Sequence, residues 1–563
     1  MFSKPNILTT IIIVFLSLHL NSQVVYEHIS NAGIYEFLEE LANDGIIELN
    51  TTVKPWSRTF IADKLMEAKT REYQLNGRQL HDLEFYMNSY TLELKSWPQT
   101  HPDMDIFRKN RRLATSLNPL ALLYKDSVFT ASLKPIWGIQ YWANDNGNIN
   151  HMWGGAEMYG YIGKNVGFYG SLRDNNESEW LEKPDYFTLR QGVPAKNFGI
   201  EGVDYSEARG GIYFSWKWGN IGIAKDHFIW GNNYHGANIF SGRQPSFGQI
   251  QLNLYPARWF EFHYVHGWLV SEVVDSARSY WDGDIYRVVY HNKYLAANIF
   301  SFTPIRRLNI SLGNSIIYSD IGVQAAYLVP FLFYKSVDHT LNSTNKNGQN
   351  GQNSQMFFDI SSRNLKHLHV YVTLFVDEFK MDRVRNPNEH NFLSWKVGGR
   401  VSDFPVQNLS LTAEYTRTNP GTYEHNISTT TFESNKYNLG HYMRSNSEEY
   451  YLSLAWKPIR GLKVEGSWVL ARHGNDYGYG KGQTNDPQNQ PVLKDITWDN
   501  HTYRLSARYE FIDNAYVFVH LILSDIQGYD VDNQTPQYYL DKFSPAFFQG
   551  KHTTVSFGFN VGF

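Results

Sequence analysis

From Ser127 to the C-terminus the hydrophobic period is two, and that period limits what the chain folds into. In 367–376, Leu368, Val370, Val372, Leu374 and Val376 point one way. His367, His369, Tyr371, Thr373 and Phe375 point the other. In 515–523, Val517, Val519, Leu521 and Leu523 alternate with Tyr516, Phe518, His520 and Ile522. In 555–563, Val555, Phe557, Phe559, Val561 and Phe563 alternate with Ser556, Gly558, Asn560 and Gly562. Dyad alternation in segments of about ten residues is the signature of a transmembrane β-barrel. A soluble sandwich or propeller alternates as well. Three features favour the membrane. Aliphatic residues fill one face along whole segments. Tyr and Trp crowd segment ends, as at Tyr141-Trp142, Tyr213 to Trp218, Trp259, Trp268 and Trp468. The chain also ends on Phe563 inside an alternating strand, which reads as an assembly signal for such barrels.

Connection lengths alternate too. Short links are expected at Gly163-Lys164-Asn165, Trp218-Gly219-Asn220, Tyr255-Pro256-Ala257, Pro304-Ile305-Arg306, Asn364-Leu365, Pro458-Ile459-Arg460 and Ile512-Asp513-Asn514. Long polar links are expected near 175–208, 230–248, 270–286, 318–353, 378–390, 418–446, 472–499 and 525–550. Short periplasmic turns and long outer loops are the expected asymmetry of an outer-membrane barrel. Counting from Ser127 gives about 18 antiparallel strands. An even number returns the C-terminus to the side on which the barrel began. Leu113 to Tyr124 would make a nineteenth strand, so 113–126 is read as a connector or internal plug segment, and 127–563 as the barrel.

The chain ahead of the barrel has different periods. Lys4, the apolar stretch from Ile7 to Leu20 and Ser22 read as a signal peptide over 1–22. No later window holds about 18 consecutive apolar residues. Residues 23–112 read as a small periplasmic helical bundle. Ile34, Phe37, Leu38 and Leu41 share one helical face, which Asp44-Gly45 stops. Ser57 or Thr59 caps a second helix carrying Ile61, Leu65 and Ala68. Asn76-Gly77 opens a third with Leu80, Leu83, Met87, Tyr90 and Leu94.

The chain has no cysteine, which removes disulfides, Cys-ligated metals and thiol nucleophiles. Lys and Arg number 51 against 55 Asp and Glu, so nothing in the charge balance calls for nucleic acid. No Gly-x-Ser-x-Gly elbow, His-Glu-x-x-His or P-loop occurs. Asp226-His227 resembles a dyad, but neighbours on a strand point to opposite faces. Asp530-Val531-Asp532-Asn533 lacks the Gly and distal Glu of a calcium loop and reads as solvated. No enzyme activity, cofactor or metal is therefore expected. The segment 230–248 stands out. Trp230, Tyr234 and His235 offer flat rings, and Asn232, Asn233, Arg243 and Gln244 offer donors and acceptors. That mixture suits carbohydrate, with sugar faces on rings and hydroxyls on amides. It equally suits a loop that folds inward and plugs the barrel.

At this loop the sequence resembles the Wzi-type capsule assembly family. The matching residues are Trp230-Gly231, Gly236-Ala237 and Ser241-Gly242-Arg243-Gln244-Pro245-Ser246-Phe247. A second stretch runs from Leu312-Gly313-Asn314 to Tyr318, then Tyr327-Leu328-Val329-Pro330-Phe331 to Asp338-His339. Pro55-Trp56-Ser57-Arg58 resembles the family's opening domain, and the whole looks closer to versions from the Bacteroidetes group. The resemblance implies an 18-stranded outer-membrane barrel, a periplasmic helical bundle and a lectin-like role in attaching capsular polysaccharide. The expected partners are surface polysaccharide, outer-membrane lipids and the barrel-assembly machinery, with the protein a monomer. Two other functions compete with this reading: a saccharide-specific channel or exporter, and a barrel enzyme acting on lipid or polysaccharide.

Overall fold

The computed structural model describes residues 23–94, 112–195, 203–342, 351–386, 389–477 and 489–562. The signal segment 1–22 and the terminal Phe563 lie outside the described residues. Eighteen long strands close into one antiparallel barrel. They are β1 Phe129–Asn144, β2 Gly147–Ile162, β3 Val166–Glu177, β4 Val203–Trp216, β5 Gly219–Asp226 and β6 Phe247–Ala257. There follow β7 Phe260–Leu269, β8 Lys293–Ile305, β9 Leu308–Ser319, β10 Asn353–Ser362, β11 Leu368–Glu378 and β12 Phe392–Ser402. The last six are β13 Leu409–Thr418, β14 Ser447–Trp456, β15 Leu462–Gly474, β16 Ile496–Ile512, β17 Ala515–Gly528 and β18 Gly550–Val561.

The period-two pattern separates lipid face from lumen as the sequence requires. On β11, Val370 and Val372 are exposed outward while His369, Tyr371, Thr373 and Phe375 are buried inside. On β17 and β18, Val517, Val519, Leu521, Leu523, Val555 and Phe557 all face out. Apolar side chains on the outside of a closed sheet are what a hydrocarbon solvent demands.

Short turns gather at one end of the barrel and long loops at the other. Pro256 and Pro304 lie inside β6 and β8, so the turns beside them fall a few residues later than the sequence suggests. Two links differ in kind from expectation. A two-residue turn, Asp145-Asn146, joins β1 to β2 at the long-loop end, and residues 403–408 make a further short turn at the other end.

The segment 113–126 is not a plug. Leu113–Leu117 and Leu120–Lys125 form a hairpin whose second strand pairs with β1 from Leu122↔Leu133 to Lys125↔Thr130. The reason lies in the closing seam. β18 reaches β1 only from Val555↔Ala143 to Val561↔Trp137. The first residues of β1 would otherwise present unpaired N–H and C=O groups at a membrane-depth edge.

Among the described residues, three α-helices precede the barrel: α1 Ala32–Asn43, α2 Arg58–Lys69 and α3 Gly77–Ser89. Ile34, Phe37, Leu38 and Leu41 of α1 pack with Ile61, Leu65 and Leu83 in one core. Of the two possible caps on α2 the chain uses Ser57, whose Oγ accepts from Phe60 N at 3.1 Å. At α3, Asn76 Oδ1 accepts from Gln79 N and Gln79 Oε1 accepts from Asn76 N, a complete capping box. The bundle sits in the short-turn mouth of the barrel. Asp44 Oδ1 is 2.9 Å from His367 Nδ1, Asn76 Nδ2 donates to Asn408 Oδ1 at 3.1 Å, and Lys457 Nζ is 3.1 Å from Glu40 Oε2. Gly45, with φ at +75°, admits Arg307, whose guanidinium lies where a Cβ would have to go.

This junction should be pH-sensitive. Burial, with Glu40 and Asp403 nearby, pushes the Asp44 carboxyl up to about 7, against the hydrogen bonds from Gln79 and His367. Burial likewise pushes Asp513, in the β16–β17 turn, up to about 7, with Glu510 and Glu27 adding to it and Lys134 and Arg58 opposing it. Both carboxyls hold a proton in the folded state at pH values where the unfolded chain, at about 3.8, has lost it. The folded state binds more protons in that window, so its stability falls as pH rises from about 4 to about 7. Melting of the bundle–barrel contact is expected to drop across this range, and Asp44→Asn with Asp513→Asn to flatten the profile. A wild-type profile flat between pH 4 and 7 would contradict this.

Candidate functional site

β5 is only eight residues long, and after Asp226 the chain turns into the lumen instead of leaving the barrel. The following segment crosses the interior and meets the N-terminal region coming from the opposite end. Val53 and Lys54 pair antiparallel with Trp230 and Ile229. Trp230 N also donates to Phe240 O at 3.1 Å, which folds the loop back on itself.

These contacts build a second hydrophobic core inside the barrel. Trp230 stands 5.2 Å from Phe240 and 5.8 Å from Phe357 of the wall, ring centre to ring centre. Phe228 and Phe240 are 5.1 Å apart, and Phe240 reaches Phe432 of the 419–446 loop at 5.3 Å. Trp230 is 1% exposed. Its indole presents no free face to a sugar.

The other residues singled out in 230–248 are used in the same way. Asn232 donates to Asp359 through both its backbone N and its Nδ2, at 2.8 and 2.7 Å. Asn233 Nδ2 donates to Gly231 O. Tyr234 N donates to Glu414 Oε1 at 2.6 Å, its hydroxyl lies 2.7 Å from His369 Nδ1, and the Arg400 guanidinium covers its ring at 3.6 Å. His235 stacks on Tyr451 at 4.0 Å, and its carbonyl accepts from Lys396 Nζ at 2.6 Å. Arg243 is ion-paired with Glu182 and donates to Tyr186 O at 2.6 Å. Gln244 is buried, with its carbonyl accepting from Gln191 Nε2. Burial raises the Glu182 carboxyl to about 7 against the opposing pull of Arg243. Amides, rings and charges that suit a glycan here satisfy a polar barrel wall, because a loop inside a barrel needs partners for every backbone and side-chain dipole.

Asp226 and His227 depart from the sequence expectation. The strand ends between them, so both side chains lie buried in the lumen, with His227 Nδ1 3.7 Å from Asp226 Oδ1. The 530–533 segment is a tight turn bridged from Val531 to Gln534, with Asp532 accepting from Asn475 Nδ2.

The aromatic surface that the structure leaves open is elsewhere. In the 270–292 loop, Tyr280–Asp282 and Ile285–Arg287 form a projecting hairpin at the long-loop end. Trp281 is 69% exposed and Tyr280 56%, and Trp281 lies 5.3 Å from Tyr286. Arg287 Nε is 3.5 Å from Asp282 Oδ2 beside them. The two-residue turn is Gly283-Asp284, and a Gly-Asp pair between aromatic residues is a hairpin signal that the sequence carries openly.

The family profile described as capsule assembly protein Wzi matches residues 209–537, more than half of the chain. Among solved structures, the Escherichia coli outer-membrane protein Wzi, described as a carbohydrate-binding β-barrel involved in Group 1 capsule assembly, is similar at 11% identity. The match covers 96% of this chain and 100% of that one, with a TM-score of 0.54. At that identity the likeness speaks for the fold. Pseudomonas aeruginosa OccD3 (OpdP) matches at 13% identity, with 76% and 90% of the two chains covered and a TM-score of 0.42. Pseudomonas aeruginosa OprD matches at 10% identity, with 76% and 94% covered and a TM-score of 0.40. No argument rests on these last two. No curated protein matches the chain.

Proposed function

The chain belongs to the family of the capsule assembly protein Wzi, and from that premise we propose that it is an outer-membrane barrel that binds surface polysaccharide and takes part in capsule assembly. In this reading the long loops face the cell exterior, and the helical bundle and C-terminus face the periplasm. The role is one of binding, with no catalytic step, and the protein acts as a single copy with lipid around its apolar wall. Assembly machinery would read the C-terminal strand.

One observation carries the choice of anchor over channel: the loop after β5 is packed across the lumen and hydrogen-bonded to the N-terminal region. A wide barrel conducts only where its interior is left to water. The purified protein in a planar bilayer is therefore expected to be electrically silent. Steady open pores, blocked by added glycan, would favour the channel instead.

The sugar platform in this reading is the projecting hairpin, with Trp281 and Tyr286 as stacking rings and Arg287 as a partner for acidic sugars. The 230–248 loop then serves as the plug behind it. Trp281→Ala is expected to weaken glycan binding about tenfold, equivalent to about 1.4 kcal/mol, without a change in melting temperature. Unchanged affinity would remove the hairpin from the site.

A further inference from the structure

Three residues from two separate stretches of chain converge inside the barrel. His28 comes from the N-terminal region, and Asp226 and His227 from the point where β5 ends. One ligand atom from each lies within 4.8 Å of the others. The His28 and His227 rings are 5.8 Å apart, centre to centre, and inclined by 67°. Two ligands of one tetrahedral ion with bonds of about 2.0–2.2 Å stand roughly 3.4 Å apart, inside the 4.8 Å within which the three candidate ligand atoms lie.

The surroundings prepare each ligand. His227 Nε2 is 3.1 Å from Glu207 Oε1, which leaves Nδ1 turned to the cluster. His28 Nδ1 is 2.5 Å from Ser30 Oγ and 3.3 Å from Ser30 N. A carboxylate behind a histidine, as Glu207 stands behind His227, is a usual support of a metal-bound imidazole. Asp226 accepts from Arg209 Nη1 at 2.9 Å, from His227 N at 2.8 Å and from the Tyr169 hydroxyl. A carboxylate has about four acceptor directions, two on each oxygen; Oδ1 accepts from both Arg209 and His227 N, so the one that remains is on Oδ2, beside the Tyr169 hydroxyl.

His227 supplies an independent observation. It is 1% exposed, yet its Nδ1, the nitrogen that faces Asp226, has no hydrogen-bond partner. A buried imidazole in that state carries an uncompensated desolvation cost. The charges nearby balance, since Asp226, Glu207 and Glu157 offset Arg209, Arg173 and Lys225. We infer that His28, Asp226 and His227 form a site for one divalent transition metal, of the Zn²⁺ type, that ties the N-terminal region to the barrel wall and the start of the plug. Two imidazoles and a carboxylate are the donor set that such ions prefer, and three protein ligands leave a fourth position open.

The test uses the full chain without an affinity tag, stripped with EDTA and titrated with Zn²⁺. The expected result is one ion per chain and a rise in melting temperature. His28→Asn and His227→Gln should each abolish stoichiometric binding, and Glu207→Gln should weaken it about 10–100-fold. His28→Asn changes a residue outside the sheet, so it keeps the test valid if the His227 variant fails to fold. Zn²⁺ uptake that is unchanged in His28→Asn, or no uptake by the wild type above a doubly substituted control, would overturn the inference.

Discussion

Trp230→Ala is expected to open the barrel and to lower its stability by about 3–5 kcal/mol, the range for removing a large aromatic side chain from a packed core. With that of Trp498, the indole is one of the two largest fully buried side chains among the described residues. It touches three pieces at once: Phe228 and Phe240 of its own loop, Phe357 of the wall, and Val53 through the backbone pair. Its removal leaves a cavity where loop and N-terminal region meet. Water entering from either mouth then has a path that the intact side chain blocks. Bilayer current and thermal melting on the same preparation check both halves. Silent membranes with wild-type melting would mean that the loop is not what closes the lumen.

Arg58→Met carries the second large effect. Its guanidinium is buried, ion-paired with Glu27, 2.8 Å from Glu93 Oε1 and 2.9 Å from Ser89 O. It lies 4.2 Å from the Tyr90 ring centre and 4.4 Å from that of Tyr159 on β2, so it also joins bundle to barrel. Burial works to raise the Glu27 carboxyl, and Arg58 and Lys134 more than offset it, holding it below the usual carboxylate range. Taking the cation away strands two buried carboxylates. Breaking such a pair from one side costs about 3–5 kcal/mol. The bundle should then become sensitive to protease while the barrel stays folded, and adding Glu27→Gln and Glu93→Gln should recover much of the loss. Unaltered protease resistance in Arg58→Met would contradict this account of the junction.

The barrel was legible because its signal is repeated and local. Val517 to Leu523 and Leu368 to Val376 each declare their two faces without reference to any other part of the chain. The helices were legible for the same reason, with Ile34, Phe37, Leu38 and Leu41 spaced as one face and buried as one. The interior was not. Trp230, Asn232 and Arg243 have side chains that satisfy a sugar or a barrel lumen equally well, and what decides between them is Val53, Asp359 and Glu182, far away in sequence. The meeting of His28 with Asp226 and His227 is hidden likewise, and depends on β5 stopping short. The hairpin at 113–125 is hidden from strand counting, which treats each strand as crossing the membrane. This one fills the part of β1 that β18 does not reach. The Trp281 hairpin was open to view in Gly283-Asp284, but long loops carry little period, and exposure is a property of the folded surface.

The central claim is that a closed barrel of this family holds surface polysaccharide on its long-loop face. The direct measurement is equilibrium binding of the detergent-purified protein to polysaccharide isolated from the surface of the cells that make it. Trp281→Ala and Trp230→Ala are measured alongside. Saturable binding is expected of the wild type, about tenfold weaker binding of Trp281→Ala, and near-normal binding of whatever fraction of Trp230→Ala remains folded. Absence of binding by the wild type, or loss confined to Trp230→Ala, would contradict it.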